Sequence, residues 1–276
     1  MRLVCFCGGE IRVEIIVSFQ NSIATIQLHR PQVKNSFHPP MIRELIRAFA
    51  DISIKPEIRG VILNGSGSVF CAGADLQWMK SMVKFTYEQN QEDAGELYQM
   101  FKTIYDCPIP VIGQVHGAAF GGALGLLAVC DMVIAEKNTQ FCFSEVKLGL
   151  APAVISSFIA KKCSLAQIGP WMLNGAVMSA AQAHSLGLVN EVVESEVALA
   201  ASTLAHAKAS LEAGPEAVRA TKKLLRGISN LSIPVDSEEK IKDFTIQVIS
   251  ERRVSNEGQE GLSAFFERRR PSWSSK

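Results

Sequence analysis

Apolar residues in the first part of the chain follow strand-type and helix-type spacings in turn. Residues 11–28 alternate apolar and polar positions around a polar turn at 20–22, which predicts two consecutive strands. The pair of prolines at 39–40 precedes apolar residues at helical spacing, so a helix is expected to begin there. Short apolar runs at 60–65 and 110–115 predict two buried strands.

The pattern changes towards the second half of the chain. A polar helix with one apolar face is predicted at residues 88–105, and two more strands are predicted at 132–135 and 141–143. From residue 154 onward the spacing is helical almost throughout. Strand–helix units followed by helices are typical of an α/β core with a helical C-terminal part. Because no low-complexity linker divides the chain, we expect one structural unit.

The composition excludes several classes of protein. The chain has 276 residues, of which 47% are hydrophobic, and 28 lysines and arginines stand against 27 aspartates and glutamates. A net charge of +1 provides no basic surplus for a nucleic-acid partner, and the hydrophobic content argues against a disordered chain. No apolar run reaches the roughly 18 residues of a membrane-spanning helix, and the first residues lack the apolar core of a secretory signal. We therefore expect no membrane partner and a cytoplasmic location.

Seven cysteines are scattered along the chain without a Cys-x-x-Cys pair. Most of them lie in apolar stretches, such as Cys71 and Cys142. This distribution is typical of small buried side chains in a reducing compartment. Cys5 and Cys7 could bind a soft metal, but no second pair of ligands follows at a suitable spacing, so we expect no metal.

Two turns of small residues each follow a predicted buried strand. The first is Phe70-Cys71-Ala72-Gly73-Ala74-Asp75, whose small side chains let a ligand approach the backbone closely. In the second, Gly121-Gly122-Ala123 opens a helix, where unpaired N–H groups favour an anion. If each turn aimed one N–H at the same carbonyl oxygen, the two turns would form an oxyanion hole. On spacing alone, close helix–strand packing explains either turn equally well.

In combination these segments resemble a known family. The matching motifs are Arg30-Pro31 with Asn35-Ser36, Ala72-Gly73-Ala74-Asp75-Leu76, His116-Gly117-Ala118-Ala119-Phe120-Gly121-Gly122, Cys130-Asp131 and Phe141-Cys142-Phe143-Ser144-Glu145-Val146-Lys147-Leu148-Gly149. They are similar, in the same order, to the core motifs of the enoyl-CoA hydratase/isomerase (crotonase) superfamily. The segment at 179–189 is similar to a later helix–turn–strand of that family. The resemblance runs from about residue 11 to residue 270.

The resemblance implies a fold, an assembly and a class of substrate. The fold would be a crotonase-like α/β spiral of repeated ββα units with a helical C-terminal region. Residues 11–195 would form the core with the CoA-thioester site, and 196–276 a trimerisation region of the same structural unit. Members of the family assemble as homotrimers or as dimers of trimers. The substrate would be an acyl-CoA thioester, and no separate cofactor is expected because coenzyme A is part of the substrate.

The resemblance also implies the residues of the site. The backbone N–H groups of Ala72 and Gly122 would hold the thioester carbonyl and stabilise an enolate during proton transfer at the α-carbon. The substrate-binding residues would be Ala72, Gly73, Ala74, Asp75, Leu76, Gly122 and Gly125. For the side chain of Asp75, capping of a helix is an equally simple role.

Glu145 is the expected acid or base. Hydratases of the family use two glutamates, one in a Phe-x-x-x-Glu segment, which is Glu145 here, and one after the glycine turn, where this chain has Gly125. Adding water ordinarily draws on both carboxylates, whereas moving a proton between two carbons needs only one. Taken without the resemblance, Glu145 could be a surface carboxylate paired with the nearby Lys147.

The sequence thus predicts a hydratase that adds water to a 2-enoyl-CoA. The segments at 117–126, 144–146 and 150–156 are similar to a bacterial branch assigned to methylglutaconyl-CoA hydratases, which belong to leucine or isoprenoid breakdown. Two alternatives stay open. One is a Δ3,Δ2-enoyl-CoA isomerase that uses Glu145 alone, which the missing glutamate favours. The other is a catalytically inactive protein that binds acyl-CoA.

Two basic clusters lie outside these motifs. Lys222-Lys223 and Arg268-Arg269-Arg270 could meet the phosphates of coenzyme A. A solvated basic face explains each cluster as well when it is taken singly.

Overall fold

The computed structural model describes residues 13–231 and 237–274. The start of the first predicted strand and the hypothesis about Cys5 and Cys7 lie outside the described residues. The strands of the described part are β1 (Ile15–Gln20), β2 (Ile23–Leu28), β3 (Gly60–Gly65), β4 (Val111–Val115), β5 (Ala118–Phe120), β6 (Met132–Glu136), β7 (Gln140–Cys142), β8 (Met178–Ser179) and β9 (Glu191–Val193).

The helices alternate with these strands at first and then follow one another. They are α1 (Pro39–Ser53), α2 (Leu76–Met82), α3 (Tyr87–Asp106), α4 (Ala123–Val129), α5 (Ala153–Lys162), α6 (Leu165–Asn174), α7 (Ala180–Ser185), α8 (Glu196–Glu212), α9 (Pro215–Leu231), α10 (Ser237–Val254) and α11 (Asn256–Phe266). Two short 3-10 helices lie at Pro31–Val33 and Ser144–Leu148.

The described strands form two sheets. The larger has the order β1-β2-β3-β4-β6-β9, and its neighbours are parallel except for the antiparallel pair β1 and β2. The smaller has the order β5-β7-β8, with β5 and β7 parallel. Asn21 and Ser22 connect β1 to β2 with φ angles of 48° and 63°, the left-handed geometry that a two-residue hairpin turn needs.

Most of the predicted elements are confirmed, and the exceptions are short strands. The segment at 118–120, which was expected to be part of a turn, is β5. The region after residue 154, which was expected to be almost wholly helical, also contains β8 and β9. Strands of two or three residues are too short to show an alternating pattern, because one period of alternation already takes two residues.

Both faces of the larger sheet are covered by helices, as is usual for parallel strands. Alternate residues of each strand point to opposite faces, so that Val61 and Leu63 enter the main core with helices α1, α3, α4 and α5. Ile62 enters a second core with Leu199 of α8 on the other face. Helix α8 therefore packs on the sheet although it begins the C-terminal helical region. Within residues 13–231 and 237–274, no helix combines the length and apolar character needed to cross a membrane.

A buried asparagine holds the loop that follows β3. The side chain of Asn35 is fully buried, and its Nδ2 donates to the carbonyl oxygens of Ser66 at 2.8 Å and Val69 at 2.9 Å. Its Oδ1 accepts from the backbone N–H of Arg30 at 2.9 Å. Asn35 itself has φ 55°, which asparagine tolerates better than most residues. This one amide therefore ties the segment after β2 to the segment that leads into residues 70–75.

Replacing Asn35 should destabilise the protein strongly. Asn35→Ala leaves several buried backbone groups without partners. Alanine also tolerates the left-handed region less well than asparagine. We expect the two effects together to lower the free energy of unfolding by about 3 kcal/mol or more. Asn138→Ala, at an exposed turn after β6, is the matched control and should cost less than about 1 kcal/mol. Urea unfolding checks both values, and similar unfolding midpoints for the two variants would contradict the role of Asn35.

Candidate active site

Backbone hydrogen bonds hold the two small-residue turns side by side. The Cys71 N–H donates to the carbonyl oxygen of Ala118, and the Phe120 N–H donates to the carbonyl oxygen of Cys71, each at 3.1 Å. Gly73 has φ 92°, and a Cβ placed on it would lie 2.8 Å from the Phe120 carbonyl oxygen. Only glycine therefore fits where the first turn crosses the second. The two turns therefore lie next to each other, as a shared binding position for one carbonyl oxygen would require.

Two backbone N–H groups at the junction are free to bind a ligand. Among the described residues, neither the Gly122 N–H nor the Ala74 N–H has a hydrogen-bond acceptor. The groups on either side of Ala74 are engaged, because Phe37 donates to the Gly73 carbonyl and accepts from the Asp75 N–H, both at 2.7 Å. Ala74 is thereby fixed in place while its own N–H stays unpaired.

The expected donor in the first turn needs a correction. The N–H of Ala72 donates to the carbonyl oxygen of Lys34 at 3.0 Å and is not available to a thioester oxygen. The unpaired N–H of the same turn belongs to Ala74, two residues later. The motif alone could not distinguish the two alanines, because the acceptor that engages Ala72 comes from a loop far away in the sequence.

Glu145 lies directly beside the glycine turn. It belongs to the 3-10 helix that follows β7, and a Cβ placed on Gly121 would lie 3.5 Å from Glu145 Oε1. The other carboxyl oxygen, Oε2, is buried and has no hydrogen-bond partner among the described residues. Burial raises the pKa of Glu145 above its usual range, because it penalises the charged carboxylate.

The structure contradicts the alternative in which Glu145 is a surface carboxylate paired with Lys147. Lys147 is exposed, and no ion pair joins Glu145 to it or to another described residue. A carboxyl group with a raised pKa and one buried, unpartnered oxygen, next to free N–H donors, is typical of an acid–base site.

Ser144 is a further polar side chain at the site, and its role was not predicted from the sequence. A Cβ placed on Gly121 would lie 3.2 Å from Ser144 Oγ, so this hydroxyl and the Glu145 carboxyl border the same spot. Within the described part of the chain, Ser144 Oγ has no hydrogen-bond partner. Its place directly before the expected acid was the one signal in the sequence.

Gly125 is a packing position, which corrects the expectation that it contacts the substrate. It is fully buried in α4, and a Cβ placed on it would lie 2.5 Å from Ile155 Cγ2 and 2.7 Å from Phe101 Cζ. Phe101 is in turn packed against Phe37 and Phe158, at ring-centroid distances of 6.4 Å and 5.9 Å. The place of the second glutamate is therefore filled by apolar side chains.

Asp75 caps helix α2, which is one of the two roles expected for it; the other was to bind the substrate. Its Oδ1 accepts from the N–H groups of Gln77 at 2.8 Å and Trp78 at 3.3 Å, and its Oδ2 pairs with Arg30 at 2.9 Å. These donors hold the pKa of the Asp75 carboxyl below its usual range even though burial opposes them. The side chain is thus occupied, whereas the neighbouring Leu76 is 81% exposed and can meet a ligand.

A pair of glycine substitutions tests the packing at Gly125. Gly125→Ala should lower the free energy of unfolding by about 1–3 kcal/mol, because the added methyl overlaps Ile155 and Phe101. Gly95→Ala, on the exposed side of α3 with nothing within 4 Å of the added methyl, should raise it by about 0.5–1 kcal/mol. Chemical denaturation measures both changes, and a neutral or stabilising Gly125→Ala would show that this position is open.

Comparisons with known proteins agree with this fold and identify the family. The family model described as enoyl-CoA hydratase/isomerase matches residues 18–276. A crystal structure of an enoyl-CoA hydratase from Shewanella pealeana superposes with a TM-score of 0.90 at 34% identity, covering 96% of this chain and 97% of that one. The crotonase fold implied by the sequence is thereby confirmed.

Curated relatives match over nearly the whole chain. A (E)-benzylidenesuccinyl-CoA hydratase from Thauera aromatica is 28% identical over 264 residues, which cover 94% of this chain and 98% of the relative. A 2,3-dehydroadipyl-CoA hydratase from Escherichia coli is 26% identical over 262 residues, with the same two coverages. Because the family model spans most of the chain and the fold is shared along it, this chain belongs to the enoyl-CoA hydratase/isomerase family.

Proposed function

We propose that this protein adds water to the double bond of a 2-enoyl-CoA thioester. The observation that carries the proposal is the position of the Glu145 carboxyl group beside the glycine turn that leads into α4, with its Oε2 buried and without a partner among the described residues. Membership of an acyl-CoA-processing family supports the thioester substrate. The names of the relatives, which are hydratases, support addition of water.

In this proposal the N–H groups of Ala74 and Gly122 bind the thioester oxygen. Both are unpaired in the described structure, and they come from the two turns that the Gly73 crossing holds together. As the enolate forms, negative charge collects on that oxygen and both hydrogen bonds strengthen. Donors of this kind typically stabilise a transition state by about 2.7–4 kcal/mol each. The proposed pair differs from the expected one only in that Ala74 replaces Ala72.

Glu145 then supplies the proton. In its protonated form the carboxyl group, whose pKa burial raises, donates its proton to the α-carbon while the water oxygen bonds to the β-carbon. The carboxyl group takes up the proton that the water releases, so that one residue gives one proton and receives another. Ser144 Oγ, which borders the same spot, would hold the attacking water in place of the second glutamate.

A second candidate reaction is the migration of a double bond from the Δ3 to the Δ2 position. The observation that favours it is the apolar packing of Phe101 and Ile155 at Gly125, which leaves one carboxyl group at the site. Glu145 would remove a proton from the α-carbon and return it to the γ-carbon through the same enolate. This reaction needs no water and no second polar group.

The acyl group that we favour is one that carries its own carboxylate, with 3-methylglutaconyl-CoA of leucine breakdown as the candidate. Two relatives are named for substrates of this kind, 2,3-dehydroadipyl-CoA and benzylidenesuccinyl-CoA. The resemblance to the methylglutaconyl-CoA hydratase branch supports the same choice. An acyl carboxylate near Glu145 could also help to orient the water.

We also propose that the protein works as a homotrimer or a dimer of trimers. Large apolar side chains stand exposed on the C-terminal helices, and such patches mark contact surfaces. On α10 they are Ile246, Ile249 and Val254, and on α11 they are Leu262, Phe265 and Phe266.

Incubation with a panel of acyl-CoAs in deuterated water tests the reaction. Wild-type protein and Glu145→Gln are mixed with crotonyl-CoA, 3-methylglutaconyl-CoA and a 3-enoyl-CoA, and the products are read by mass spectrometry. We expect water addition to a 2-enoyl substrate, reduced at least about 100-fold in Glu145→Gln because the acid and base are both lost. Glu92→Gln, which removes an exposed carboxylate on α3, is the matched control and should keep the wild-type rate.

The other outcomes separate the alternatives. Migration of the double bond without gain of water would identify an isomerase. Binding of acyl-CoA without any conversion would identify an inactive binding protein. Water addition at an undiminished rate in Glu145→Gln would overturn the role assigned to Glu145.

A further inference from the structure

A cavity lies at the end of helix α4 that is opposite to the glycine turn. It has a volume of about 290 Å³ and opens between the ends of α3, α4 and α5 and the side of α9. Its charged and aromatic lining consists of Tyr105, Asp131, Lys161, Lys162, Lys222 and Arg226. We call it the cationic cavity because four of these six side chains are lysine or arginine.

The position of the cationic cavity separates it from the proposed active site. Helix α4 has seven residues, so its two ends are about 10 Å apart. The packed side chains of Phe101, Ile155 and Phe158 fill the space alongside it. A ligand in the cationic cavity would therefore not touch Glu145.

The aromatic ring of Tyr105 brings two of the cations together. Lys161 Nζ lies 4.7 Å from the ring centroid, and the guanidinium carbon of Arg226 lies 4.3 Å from it. Each contact is a favourable cation–π interaction, but the two positive charges repel each other. The ring thus holds at one wall of the cavity two groups that would otherwise move apart.

The single carboxylate of the lining is already occupied. Asp131 accepts from the backbone N–H of Val111 at 2.7 Å and forms ion pairs with Lys222 and, at 3.5 Å, with Arg226. Lys222 is 7% exposed, so the Asp131–Lys222 pair is part of the interior, and the basic face expected there is not a solvated one. Asp131 has no further capacity to balance the other cations.

Lys161 and Lys162 have no carboxylate partner in the described part of the chain. Lys162 Nζ donates to the carbonyl oxygen of Cys130 at 2.8 Å, which uses one of its three hydrogens. Burial lowers the pKa of Lys162, as it does that of Lys222, which shows the cost of holding these charges away from water. An anion in the cavity would remove that cost.

We infer that the cationic cavity binds a small oxyanion of the phosphate class, held by Lys161, Lys162 and Arg226. Four cations against one carboxylate leave three positive charges, which suits a doubly charged anion better than a neutral ligand. The volume is at the lower limit of about 300 Å³ for ligand pockets, which favours a free ion or one phosphate group of a larger molecule.

Calorimetric titration at low ionic strength tests this site. Inorganic phosphate and AMP are titrated separately into the full-length protein and into three variants, Lys161→Gln, Lys162→Gln and the control Lys55→Gln, which lies two residues after the end of α1 and does not line the cavity. We expect saturable binding of phosphate to wild type, weakened at least about tenfold by either cavity variant and unchanged in the control. Lys161 is exposed, so its variant keeps the test valid even if Lys162→Gln fails to fold.

The two probes separate the sources of the anion. AMP binding at least as tightly as phosphate would show that the site takes a phosphate group of a larger molecule, and binding of phosphate alone would show a site for the free ion. The absence of saturable heat with both probes would overturn the inference. The inference would also be overturned if both cavity variants bound phosphate with the wild-type affinity, because the ion would then bind elsewhere.

Discussion

The short run of backbone hydrogen bonds between Cys71 and the strand β5 is the constraint on which the site depends. It fixes the loop after β3 against the turn after β4, and Gly73 lets the two backbones cross at contact distance. The N–H groups of Ala74 and Gly122 remain unpaired because the neighbouring groups have satisfied each other. A slip of this pairing would move one donor away from the other, so backbone geometry sets the spacing of the two N–H groups that we propose bind the thioester oxygen.

The same pairing also positions the acid. Strand β5 pairs with β7, and the Gly121 N–H donates to the Cys142 carbonyl at 2.8 Å, three residues before Glu145. Behind the first turn, Arg30 joins Asp75 to the segment that Asn35 anchors. The site thus rests on three adjacent pieces of backbone, each held by hydrogen bonds, and in the proposed reaction Glu145 and Ser144 contribute the side-chain chemistry.

The sequence predicted the large elements and the two turns because these features are local. A buried strand, a capped helix and a run of glycines each leave a pattern within a few residues. The choice between Ala72 and Ala74 depended on Lys34, which a loop brings to the first turn. The closure of the space at Gly125 depended on Phe101 and Ile155, from two different helices. The cationic cavity was beyond prediction for the same reason, since α3, α5 and α9 supply its cations and the ring between them.

Exchange of the α-protons of a saturated acyl-CoA tests the central claim most directly. It requires the enolate and a carboxylate that removes a proton and returns a deuteron, but neither water addition nor a double bond. Butyryl-CoA is incubated with the protein in deuterated water, and deuterium uptake is followed by mass spectrometry. The account predicts exchange catalysed by wild type and reduced at least about 100-fold in Glu145→Gln. Uptake at the same rate in both proteins, or no catalysed uptake by a wild type that binds butyryl-CoA, would contradict it.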